Sequence, residues 1–204
     1  MSKIFTAILL LLGLVQLFGC SIFNGKSPND SNNSTIKIND TNHVIDSSNY
    51  EKDIIELIKN NIKNDFENTD LTIKEINPVE NYSFVIFLIK QNNILHEGLA
   101  CIEKEHKFYK LNEMDIAKVD LKAPFTKHTI ISSLNDGRDY ILIGGYINDE
   151  NINEVHIEYK NSAVNVIEIG QNQNTYMNYM IGDIKYIKEI VGFNETNKIY
   201  SYEF

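Results

Sequence analysis

Imidazole and carboxylate groups meet at His96-Glu97 and again at Glu103-Lys104-Glu105-His106. On neighbouring strands and the turn joining them, such groups could approach one another as metal ligands do, and an envelope hydrolase built on His96, His106 and nearby acids is the catalytic reading of this chain. A solvated hairpin end accounts for the same residues. No second ligand pair of fixed spacing, His-x-x-x-His or Cys-x-x-Cys, occurs, so no metal or cofactor is assigned.

Asp149-Glu150-Asn151-Ile152-Asn153 offers alternating oxygen ligands like the opening of a calcium loop, but Glu154 stands where the turn glycine belongs and Lys160 where the bidentate acid belongs. A polar loop is the simpler reading. Arg138, the only arginine, sits in Asn135-Asp136-Gly137-Arg138-Asp139, which reads as an anion anchor or as a β-turn with a local ion pair. Cys101 lies in Leu99-Ala100-Cys101-Ile102, where a thiol acts as a small buried hydrophobe. Gly144-Gly145 lacks the spacing of a dinucleotide loop and reads as a bulge or close sheet packing. Nucleophile-elbow, zincin and phosphate-loop patterns are absent, so no catalytic residue is assigned and the chain is read as a non-enzyme.

The remaining surface chemistry is aromatic. Eight of eleven tyrosines follow residue 139, and Tyr176-Met177-Asn178-Tyr179-Met180-Ile181 carries Tyr and Met on both faces of one strand. Both residue types are enriched in interfaces, so Tyr176, Met177, Tyr179 and Met180 form the expected interaction patch. Tyrosine is also a good strand former, and the same pattern fits ordinary sheet packing.

The elements that must position these groups begin with Ser48-Asn49-Tyr50-Glu51, a capping-box pattern. Ile54, Ile55, Ile58, Ile62 and Phe66 then make one apolar stripe, predicting a core-packing helix to about Phe66. From Leu71 the pattern is β. Leu71 to Ile76 is a strand closed by Asn77-Pro78; Tyr82 to Lys90 is apolar on both faces and therefore central; Ile94 to Glu103 and Lys107 to Leu111 complete a meander. After Pro124, short strands at regular spacing predict a β-sandwich-like half: 129–134, 140–147, 154–160, 163–169, 175–181, 184–191 and 199–203. The expected fold class is α+β, mostly β: one N-terminal helix packed on an antiparallel meander (50–123), followed by a β-sandwich-like half (124–204).

Ahead of this lies a different kind of sequence. Lys3 precedes an apolar run from Ile4 to Phe18 that ends at Gly19-Cys20, too short for an anchored span of about 20 residues and fitting a signal-peptide core. Leu17-Phe18-Gly19-Cys20 resembles the lipobox of bacterial lipoprotein precursors. That resemblance implies a signal peptide at 1–19, a diacylglyceryl group on Cys20 and attachment to the outer face of the cell membrane. Two acyl chains give the durable attachment that one does not. Residues 20–49, rich in Ser, Asn, Asp and Thr, read as a lipidated cysteine and a disordered tether of about 30 Å average span. Residues 140–204 are similar to the C-terminal sandwich of uncharacterised secreted proteins and lipoproteins of Gram-positive bacteria.

Charge narrows the partners. The chain carries −9; cleavage at Cys20 removes Lys3 and no acid, so the charge falls by one to −10. Such a surface disfavours nucleic acid and anionic lipid, leaving the anchor to supply membrane affinity. With Cys20 lipidated, Cys101 has no disulfide partner, and the domain must rest on its core. The leading expectation is a membrane-anchored extracytoplasmic binding or interaction module with a protein or cell-wall partner.

Overall fold

The computed structural model describes residues 47–67 and 69–204, with side chains from Asn49 onward. Cys20, the leader, most of the tether and the Ser48 hydroxyl of the capping box lie outside the described residues. Helix α1 spans Ser47–Ile62, so residues 47–49 belong to it rather than to the tether. Ile54, Ile58 and Ile62 are buried one turn apart and pack on Val85, Phe87, Ile89 and Ile102. The helix stops at Ile62, short of Phe66, and the amides of Asp65 and Phe66 share the Ile62 carbonyl, at 3.0 and 2.9 Å, in a closing turn. Phe66 still joins the core, its ring edge-on to His96 at 5.1 Å.

Four strands follow as an antiparallel meander: β1 (Asp70–Val79), β2 (Tyr82–Gln91), β3 (Ile94–Glu105) and β4 (Phe108–Lys118). β2 lies inside the sheet and is buried from Tyr82 to Ile89, as an apolar run on both faces requires. β1 continues through Pro78, which was expected to close it. An edge strand needs ladder donors on one side only, so the missing N–H is tolerated there. Asn92 and Asn93 both take the left-handed conformation, φ 50° and 63°, and make the two-residue β2–β3 turn.

The second half builds two more sheets. β5 (His128–Ser133), β6 (Asp139–Tyr146) and β9 (Thr175–Ile181) pair in the order β5-β6-β9. β7 (Glu154–Tyr159), β8 (Val164–Glu168), β10 (Ile187–Asn194) and β11 (Asn197–Glu203) pair in the order β11-β10-β7-β8. Along β7, Val155, Ile157 and Tyr159 are buried while His156 and Glu158 face outward.

Three apolar clusters order these pieces into four layers. Helix α1 covers one face of the β1–β4 sheet. The other face gives Phe84, Ile86, Leu99 and Cys101 to a cluster shared with Leu142 and Met177 of the middle sheet. The far side of the middle sheet, through Ile141, Ile143 and Tyr176, packs on Val155, Ile157, Tyr159 and Ile190 of the last sheet. The fold is α+β and mostly β, with a helix on a meander and a sandwich beyond it. Gly144 and Gly145 sit in β6 without a register shift. Close packing selects them: a Cβ on Gly145 would stand 2.1 Å from the Thr126 carbonyl oxygen and 2.7 Å from the Tyr176 ring. No helix among the described residues is long and apolar enough to cross a membrane.

Candidate binding cleft

The layering decides what each singled-out side chain can reach. Tyr176 is fully buried between the middle and last sheets, its hydroxyl donating to the Thr126 carbonyl at 2.8 Å. Burial pushes its phenol well above the ordinary tyrosine range. Met177 is buried on the opposite face of β9. Tyr179 is half-buried and stacks on Phe84 at 4.7 Å, and half-buried Met180 packs on the sandwich core. The expected interaction patch is therefore core: a strand with large side chains on both faces lies between two sheets, and Tyr176 and Met177 present nothing to a partner.

His96 and His106 stand at opposite ends of β3. Ten residues at about 3.3 Å each separate them by roughly 30 Å, so they do not form one site. His96 is half-buried, and burial first, then Lys118, pushes its imidazole below the ordinary range. His106 turns the chain from β3 to β4 with φ 57°. Among the described residues no three His, Cys, Asp or Glu side chains gather closely enough to hold a metal ion.

Asp149 uses Oδ1 to accept from the backbone and side-chain amides of Asn151 at 3.0 and 2.7 Å, closing its own turn. Arg138 pairs with Asp136 at 2.7 Å inside the turn and also grips Glu80 with both Nη atoms, at 3.3 and 2.6 Å, tying the β1–β2 turn to the β5–β6 turn. Cys101 is buried, and burial pushes its thiol up to about 11.

Two polar features were not anticipated. The first is internal. Glu97, 2% exposed, accepts the Thr126 hydroxyl at 2.5 Å, and the same oxygen of Thr126 accepts the Tyr146 amide at 2.7 Å. Burial raises the Glu97 carboxyl; the Thr126 hydroxyl and His128 oppose the shift. His128, also buried, bonds through Nε2 to Asp115 at 2.8 Å. These residues join β3 and β4 to the start of β5, a polar seam between the first and middle sheets. Its sequence signal was available: Glu97 alternates with Leu99 and Cys101, so it shares their inward face.

The second feature is a cleft of about 550 Å³, within the usual range for small-ligand sites. One wall is the free edge of β1, where a bulge between Ile73 and Glu75 breaks the ladder at Lys74. Glu75 is half-buried there and accepts the Asn77 side-chain amide at 2.8 Å; burial raises its carboxyl. The facing wall is the end of β8, at Ile167 and Glu168, with the loop that leads into β9.

Four consecutive amide residues, Gln171 to Asn174, line that loop. The Gln173 amide N–H closes a turn on the Gly170 carbonyl at 3.0 Å, and the Gln173 side chain braces it from Gly170 N to Thr175 O. Asn172 takes φ 67°, a conformation asparagine tolerates. Gln171 and Asn172 are exposed. Asn174 donates Nδ2 to the Tyr146 hydroxyl at 3.3 Å, while its Oδ1 is buried without a protein partner. About 100 residues separate the two walls, so no local pattern could announce the cleft. The chain matches no protein-family model, no curated protein and no solved structure.

Proposed function

We propose that this chain is a membrane-anchored extracytoplasmic lipoprotein, held by a diacylglyceryl group on Cys20, that works as a binding module at the cell envelope. The cleft between β1 and the β8–β9 loop is the ligand site in this reading. The observation that carries it is the lining: side chains that donate and accept hydrogen bonds border an open cleft of ligand size between a sheet edge and a loop. The apolar leader ending at Cys20 supports the anchor, and the acidic chain leaves that anchor as the source of membrane affinity. The partner is a wall component or a protein carried at the same surface.

Metabolic labelling with a clickable fatty acid tests the anchor: label is expected on the wild-type chain and lost in Cys20→Ala, and equal labelling of both would rule the lipid out. Cross-linking in intact cells from positions 171 and 172 tests the site. A specific adduct is expected, and one unchanged when the photoreactive group is moved to exposed Phe108, far along the sheet, would place binding elsewhere.

A further inference from the structure

Taking the cleft as the ligand site, we infer that its ligand is a neutral oligosaccharide. The inference rests on the binding reading above and adds the ligand's chemical class. The lining carries two acids, Glu75 on the β1 wall and Glu168 on the facing one, against the single base Lys74, on a chain of net charge −9, so an anionic ligand meets repulsion. Ile73 and Ile167 are the only aliphatic side chains in the lining apart from the methyl of Thr175, too little for a ligand held by apolar burial. An extended peptide adding to β1 as a fifth strand needs an unbroken row of backbone groups. The bulge at Lys74 interrupts that row and Pro78 removes a donor from the strand.

What the lining does offer is a match for hydroxyl groups, each of which donates once and accepts twice. Gln171 and Asn172 present exposed amides, with donors and an acceptor each, and Glu75 and Glu168 supply further acceptors. Asn174 also lines the cleft, but its Nδ2 is taken by the Tyr146 hydroxyl and its Oδ1 is buried out of a ligand's reach. Ile73 and Ile167 pack half-buried against the helix-side core and the sandwich core, which leaves hydrogen bonding as the cleft's main means of holding a ligand. Binding through such contacts is weak, in the millimolar range, at about 4 kcal/mol.

Chitotetraose and cellotetraose are titrated into the full chain in detergent micelles, followed by amide chemical shifts. Saturable shifts are expected with at least one of them, confined to residues 73–75, 167–168 and 171–175. The double variant Gln171→Ala, Asn172→Gly should weaken binding about tenfold. Glycine keeps the left-handed turn at 172, so the melting temperature should not change. The proposal is overturned if neither saccharide shifts these residues, if the shifts lie elsewhere, or if the double variant binds as tightly as the wild type. A decapeptide of alternating Thr and Val that shifts the cleft where the saccharides do not would overturn the ligand class and leave the cleft itself as the binding site.

Discussion

Glu97 shows how one buried carboxylate couples stability to pH. It is held by the Thr126 hydroxyl in an interior that raises its proton affinity above the ordinary value of 4.5. The folded chain therefore binds this proton more tightly than the unfolded chain. The stability gained is present below the ordinary carboxyl value and is lost as pH rises through the raised one. Glu97→Gln keeps an acceptor for Thr126 and removes the titration. Its melting temperature should lose the decline that the wild type shows as pH rises above the ordinary carboxyl value, and once that decline is complete the variant should match or exceed the wild type in stability by about 1 kcal/mol. Parallel melting curves across that range would show that Glu97 does not carry the effect. Cys101 gives a second test at this scale. Burial pushes its thiol up to about 11, so alkylation read by mass spectrometry of its peptide should be negligible in the native chain and rapid in denaturant.

At the scale of elements, β9 is the instructive case. Its sequence puts tyrosine and methionine on both faces, which fits an adaptable surface or a strand between two layers. The structure places it between layers: Tyr176 and Met180 enter one core, Met177 and Tyr179 the other. The two-faced run in β2 is central to its sheet, and there the apolar residues are continuous from Phe84 to Ile89. Beside β9, Gly145 lets the Thr126 backbone and the Tyr176 ring approach β6. Gly145→Ala sets a methyl against a backbone carbonyl that cannot swing aside as a side chain can. A loss of about 2 kcal/mol or more is expected in urea denaturation, and a cost under about 0.5 kcal/mol would mean the sheets separate there easily.

Over the whole molecule, the cluster shared by the first and middle sheets makes the two halves interdependent. Leu142→Ala should cost about 2–5 kcal/mol, and the loss should appear equally in both halves. Helical circular dichroism reports α1 and tyrosine fluorescence is weighted to the second half, so superimposable urea curves are the expected result. Separate transitions would show two cores that merely touch. The helix, most strand positions, the α+β class and the inward turn of Cys101 are legible in the residues alone, because each follows from periodicity and propensity within a few residues. The sequence also carries the leader and Cys20, on which the proposed address rests. Tertiary packing alone places the Tyr176 strand in the interior, sets His96 and His106 far apart, and brings β1 and the Gln171–Asn174 loop together around an open cleft. Those facts depend on which sheet covers which face and which edges meet, and layer order is set by the packing of distant apolar clusters rather than by any local pattern.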